Sequence, residues 1–329
     1  MKEYQFNAEE LERRLHEFAQ RGITELVVHD PALSRDRGRL LHFIQAVENH
    51  APDLYVTLPV EAPVLDKDVC RAAQNIFCSL DIPLCGESRK TEHGAIYLLD
   101  KKVYAKKADM LNAAGLVFGF DMDWAAVPGD SLKLFRERLD FALSLYPNHI
   151  DFVQLEGGDE VRPTGTFSSQ DIKYARDLAF ACKTFYCCGR AVPWFLPVLA
   201  PLKIQSSRFL ADFAEWQRCN NCSSASGFDP AQAPHEDIER MQLSFLGMKY
   251  EEKHKEPLFQ VARDIVRLNG AFARCTGEGE ECELAVSYSP DDLLSPESLH
   301  LTSFAENVLL EPCRVKVFCG ADGPDYRII

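Results

Sequence analysis

One pattern constrains this chain more than any other. Short runs of β-branched and apolar residues alternate with amphipathic stretches at intervals of about 30 residues, the length of a βαβ unit. Asn7 caps a predicted helix with Leu11, Leu15 and Phe18 on one face, and Gly22 ends it. The run Ile23–Val28 then reads as a buried strand closing on His29-Asp30-Pro31, and Leu40, Leu41, Ile44 and Val47 follow at helical spacing. The same alternation gives strand Leu54–Val60 with helix Asp66–Cys78, strand Ser79–Cys85 with helix Lys101–Ala114, strand Leu116–Met122 with helix Ser131–Leu145, and strand Ile150–Leu155. Strands that alternate with helices pair in parallel through right-handed crossovers. The pattern alone fits a doubly wound sheet or part of a barrel, and in both the chemistry sits at the C-terminal strand ends.

Beyond Gly157 the chain changes character. A polar loop, Glu156–Thr166, leads to predicted helices Gln170–Arg190 and Ser206–Arg218, joined by the proline-rich Ala191–Lys203. Asn220–Pro234 reads as a loop, Glu236–Tyr250 and Leu258–Ala273 as helices, and Leu284–Tyr288 and Arg314–Phe318 as strands of a small closing unit. The predicted division is 1–160, 161–275 and 276–329. The aromatic group Phe180, Phe185, Tyr186, Trp194 and Phe195 is read as core, and Arg190 as a helix-terminal cation.

With 36 Lys and Arg against 50 Asp and Glu, the net charge of −14 disfavours general nucleic-acid binding. No apolar run reaches the length of a membrane span, and Met1–Phe6 has no apolar segment of the secretory kind. The 12 cysteines, without such a leader, suggest reduced thiols and a cytoplasmic location. Cys219-Asn-Asn-Cys222 lacks the second pair that a metal site needs, and Cys187-Cys188 reads as small core residues. Cys275, Cys282, Cys313 and Cys319 flank turns and read as buried thiols. No phosphate-binding glycine loop, zinc-protease motif or nucleophile elbow occurs, and Pro128-Gly129-Asp130-Ser131 is read as a turn with a cap.

Each predicted strand ends in polar groups: Asp30, Glu61, Glu87 with Ser88, Asp121 with Asp123, and Gln154 with Glu156. On parallel neighbours these converge on one rim, which suits a polar ligand carrying amines and hydroxyls. The competing reading is that they cap the helices that follow.

The run Leu116–Gln154, with "GLVFGFDMDWAAVPGDSLKLFRERLDFALSLYPNHIDFVQL" around it, resembles part of the radical S-adenosylmethionine superfamily. There it corresponds to a barrel strand, a GxPGxS/T loop, a helix and the next strand. The upstream "GITELVVHDPALSRDRGRLLHFIQAV" is similar to the second barrel strand and its helix. The later "ARDLAFACKTFYCCGRAVPWF" is similar to the helical region of the branch that often carries a cobalamin-binding domain. The resemblance covers about residues 7–216.

The resemblance implies a partial parallel (β/α) TIM-like barrel lacking its first strand, followed by the helical region and the small β unit. It implies S-adenosylmethionine and a [4Fe–4S] cluster as cofactors, with cobalamin in an N-terminal domain outside this chain. It places Asp30 at the methionyl amine, Glu87 and Ser88 at the ribose, and Asp121, Asp123 and Gln154 at the fifth and sixth strand ends. His29-Asp30 replaces the Gly-Gly-Glu type of sequence expected at the amine contact. The C-x3-C-x2-C set that holds the cluster is absent from the 329 residues. The expectation is therefore the C-terminal portion or a remnant of such an enzyme, inactive as an isolated chain, with an N-terminal half or companion chain covering the open barrel edge. The alternatives are a non-catalytic relative that binds a ligand or partner, and an unrelated α/β enzyme using its strand-end carboxylates.

Overall fold

Parallel pairing in unbroken chain order is what separates a barrel from a doubly wound sheet, whose strand order reverses at a switch point. In the computed structural model, which describes residues 8–92, 94–155, 161–320 and 323–329, the order is unreversed. Strands β1 (Glu25–Val27), β2 (Tyr55–Pro59), β3 (Cys78–Pro83), β6 (Val117–Met122) and β7 (His149–Phe152) lie side by side in that sequence, all parallel. They curl into a half-barrel, as expected from the resemblance. Between β3 and β6 an antiparallel hairpin, β4 (Glu87–Thr91) and β5 (Gly94–Leu98), is inserted.

The helices of this unit are α1 (Ala8–Gln20), α2 (Pro31–Arg35), α3 (Arg37–His50), α4 (Lys67–Ala73), α5 (Lys101–Ala113) and α6 (Leu132–Leu143), whose first nine residues group with the second unit. Four of them start on an aspartate. Asp30 accepts from the Ala32 amide at 2.8 Å, Asp36 from Arg39 at 3.1 Å, Asp66 from Val69 at 2.9 Å and Asp100 from Lys102 at 3.2 Å. Each satisfies an amide that the first helical turn leaves without a partner.

Side chains alternate across the sheet. One face carries Val56, Leu58, Leu80, Ile82, Phe118, Phe120, Ile150 and Phe152, all essentially inaccessible. Buried apolar residues of the surrounding helices, among them Leu40, Ile44, Val47, Val69 and Leu111, complete this core.

Two local expectations are corrected. The helix predicted to reach Cys78 ends at Ala73, because the Phe77 carbonyl already accepts from the Val56 amide at 2.9 Å and commits the chain to β3. The hairpin was not anticipated, because β4 is exposed along its whole length and shows no apolar periodicity.

The second unit comprises Leu132–Asp140 and Ser169–Ile329. It contains α7 (Ser169–Cys182), a π-helical turn (Lys183–Cys188), α8 (Phe195–Leu199), α9 (Ser206–Cys219), α10 (His235–Glu252) and α11 (Glu256–Glu278). The ring of Phe185 is surrounded by Trp194, Phe195, Phe209, Phe213 and Phe245, with centroids 4.9 to 6.4 Å away, so Phe185, Tyr186, Trp194 and Phe195 are core as read, whereas Phe180 is half-buried. Arg190 closes the π-helical turn and donates to the Ala273 carbonyl at 2.7 Å and to the Glu278 carboxylate.

An antiparallel sheet completes this unit. It is built from β8 (Cys282–Val286) and, after α12 (Pro290–Leu293) and α13 (Leu301–Asn307), from β9 (Cys313–Gly320) and β10 (Gly323–Ile328). The third strand was not expected. The all-thiol reading is also corrected: Cys275 and Cys319 are disulfide-paired. Among the described residues, no helix is long and apolar enough to cross a membrane.

Candidate functional site

The sheet's other face is polar where a closed barrel would be filled with branched apolar side chains. By alternation it carries Glu25 and Val27 from β1, Tyr55 and Thr57 from β2, Ser79 and Asp81 from β3, Gly119 and Asp121 from β6, and His149 and Asp151 from β7. Parallel register sets Asp81, Gly119 and His149 in one row, and Pro83, Asp121 and Asp151 in the next row toward the strand ends.

The imidazole of His149 lies across β6. Its Nε2 is 3.0 Å from Asp81 Oδ1 and 3.4 Å from Asp151 Oδ2. Carboxylates only accept, so Nε2 carries the proton in this arrangement. The ring can lie there because residue 119 is glycine: a Cβ would stand 2.1 Å from His149 Nε2. Ser79 Oγ donates to the same Asp81 oxygen at 3.3 Å. Burial pushes the Tyr55 phenol up, and the Ser79 hydroxyl works against that shift. The three titratable groups of this cluster are half-buried, with side-chain exposures of 19% for Asp81 and 26% for His149 in the row and 34% for Asp151 in the next. The arrangement offers carboxylates to a cationic group and an imidazole that can take or give a proton.

At the C-terminal rim, the loop after β6 folds against the hairpin. Gly129, at φ +91°, approaches so closely that a Cβ would meet the Ala95 carbonyl oxygen at 2.8 Å. Asp130 is buried and fastens the loop: its carboxylate accepts from the Ala125 and Ser131 amides, each at 2.9 Å, and its carbonyl accepts from Thr166 Oγ1 at 2.5 Å. The turn that the sequence suggested is present, closed by the Asp130 amide donating to the Val127 carbonyl at 3.2 Å. Tyr104 donates to the Pro83 carbonyl at 2.9 Å and ties α5 to the end of β3.

The six sequence-predicted residues part company here. Asp30 is an exposed helix cap, and Glu61, also on the expected rim, pairs with Arg35 at 2.6 Å. Glu87 and Ser88 stand on the exposed hairpin strand. Asp123 is half-buried just beyond β6. Gln154 donates to the Trp124 carbonyl at 3.2 Å, and its Oε1 is buried with no partner among the described residues. Asp121 is the one of the six that lies within the five-stranded sheet, on the face of the His149 row. Glu156 lies outside the described residues. The sequence reading missed Asp81, His149 and Asp151. The available signal was the polar pair two residues apart within an apolar strand, Ser79/Asp81 and His149/Asp151, which marks one face of a strand.

The residues present do not fit an iron–sulfur cluster. No three cysteines have the required spacing, and among the described residues no group of three His, Cys, Asp or Glu side chains could hold a metal ion. Cys219 is exposed at the end of α9, whereas Cys222 is buried with its thiol donating to the Gln217 carbonyl.

No protein-family model matches the chain, and no curated protein matches it. Solved structures of the radical S-adenosylmethionine methyltransferase TsrM from Kitasatospora setae are similar in part. The form with cobalamin and a [4Fe–4S] cluster bound aligns at 14% identity and a TM-score of 0.37, covering 45% of this chain and 29% of that one. The form with tryptophan substrate and the S-adenosylmethionine analogue aza-SAM aligns at 12% identity and a TM-score of 0.39, covering 54% and 34%. The chain therefore matches about a third of the length of those proteins.

Proposed function

We propose that this chain is the ligand-binding part of a radical S-adenosylmethionine type of enzyme, and that it holds S-adenosylmethionine on the polar face of its half-barrel without cleaving it unaided. The observation that carries this reading is the row Asp81–Gly119–His149, with Asp121 and Asp151 beside it, on an unreversed parallel sheet. Carboxylates there suit the ammonium and sulfonium groups of such a ligand, and Ser79, Thr57 and Tyr55 offer partners for its hydroxyls. Reductive cleavage needs a cluster whose thiolates these residues do not provide, so any such step belongs with cysteines outside this chain. A companion segment carrying them would pair with the outer edge of β1, which ends the sheet. Ten cysteines outside the Cys275–Cys319 pair suit a reducing compartment such as the cytoplasm.

The test is calorimetric titration of S-adenosylmethionine into the protein. Saturable binding is expected, with affinity lost in an Asp81→Asn, Asp151→Asn double variant whose circular dichroism is unchanged. The absence of heat at millimolar ligand would sink the reading. Anaerobic reconstitution with iron and sulfide should leave this chain without a stoichiometric cluster; a full complement of cluster absorbance would show that the cysteine argument is wrong.

A further inference from the structure

The cysteines of the second unit carry a separate chemistry. Cys275 sits in the last turns of α11 and Cys319 near the end of β9, disulfide-paired with Cα atoms 5.9 Å apart. That separation lets a bridge form or open with little backbone movement. The two sulfurs differ in access: Cys275 is buried and Cys319 is exposed. Other contacts already hold this end of α11. Arg190 binds Ala273 and Glu278, Arg274 binds Glu239 at 2.7 Å, and further along the helix Asp264 accepts from the Ser287 amide at 2.7 Å. The helix therefore does not depend on the covalent link for its position. A third thiol, Cys282, pairs in register with Val317, two residues from Cys319, and lies beside the Arg274 guanidinium. A pair with one reachable and one shielded sulfur has the layout of an exchanging dithiol and not of a permanent staple.

We propose that Cys275 and Cys319 form a redox-active pair that exchanges with low-molecular-weight disulfides of the glutathione class. Starting from the dithiol, the Cys319 thiolate attacks one sulfur of glutathione disulfide. That S–S bond breaks, one glutathione leaves as its thiolate, and Cys319 carries the other as a mixed disulfide. The Cys275 thiolate then attacks the Cys319 sulfur, the Cys275–Cys319 bond forms and the second glutathione leaves. The two protein thiols give up two electrons and two protons, and one glutathione disulfide becomes two glutathione molecules. Exposure fixes the order, because an external disulfide reaches Cys319 and not Cys275.

The experiment equilibrates the full chain in mixtures running from glutathione alone to glutathione disulfide alone, followed by acid quenching, alkylation and peptide mass mapping. The Cys275–Cys319 linked peptide is expected to rise from absent to complete across the series. In the Cys275→Ser variant, glutathione should accumulate on Cys319; in Cys319→Ser, Cys275 should remain a free thiol. A link that persists in glutathione alone would make the bond a permanent staple and overturn the proposal. So would a link that never forms, or one joining Cys319 to Cys282. The wild-type titration decides the matter even if a variant misfolds.

Discussion

Glycine 119 shows how one residue sets the character of the polar face. Without a Cβ, β6 leaves room for the His149 ring to reach both Asp81 and Asp151; with one, the ring meets an atom at 2.1 Å and must leave. Gly119→Ala is expected to destabilise the first unit by about 1–3 kcal/mol, the usual range for overpacking. In a Gly119→Ala, His149→Ala double variant most of that loss should vanish, because the clashing partner is gone. Urea unfolding of the four proteins of this cycle measures the coupling, and additive losses would show that the ring and the glycine do not interact. His235 gives a second residue-scale expectation. Burial, with the Arg190 and Arg274 charges nearby, lowers its pKa from 6.5 to about 4, and its Nδ1 faces Arg274 Nη1 at 3.1 Å. The folded state therefore favours the neutral ring, while the unfolded chain takes up the proton first as pH falls. The stability from this ring is fully present above pH 6.5 and is lost between 6.5 and about 4, a span of about 3 kcal/mol. Urea midpoints measured across that range should fall, and should fall less in His235→Gln; identical slopes would refute the assignment.

At the scale of elements, helix starts and strand pairing carry the argument. The Asp140 carboxylate receives the Ser207 amide at 2.6 Å and the Ser207 hydroxyl at 2.8 Å at the start of α9, whose own preceding residue, Gln205, makes no side-chain cap. Asp140→Ala should lower stability by about 1–2 kcal/mol, the range for losing a helix cap, and thermal unfolding at constant pH is the check. The aspartate caps of α2 to α5 were legible as N-cap residue types in the sequence, which is why Asp30 serves two readings equally well there. The hairpin β4–β5 and strand β10 were not legible. Their exposed residues lack apolar periodicity, and what holds them is pairing with a partner strand.

For the whole molecule, the relevant quantity is linkage between ligand and folding. A ligand that binds the folded chain alone raises stability by about 2.7 kcal/mol at a hundred times its dissociation constant. S-adenosylmethionine should therefore raise the melting temperature of the wild type in a concentration-dependent way and leave the Asp81→Asn, Asp151→Asn variant unmoved. An equal shift in both proteins would place the ligand elsewhere.

By itself the sequence determined the alternation of strand and helix, the parallel sense of the first unit and the aromatic core of the second, because these follow from local periodicity and from the burial of large apolar side chains. It allowed both a doubly wound sheet and a barrel, since strand order is set by which crossovers pack side by side, and no local pattern encodes that. Only the tertiary structure decided that Asp81, Gly119 and His149 share a row. They stand 38 and 30 residues apart in the chain, and the parallel register that aligns them depends on how the intervening helices pack.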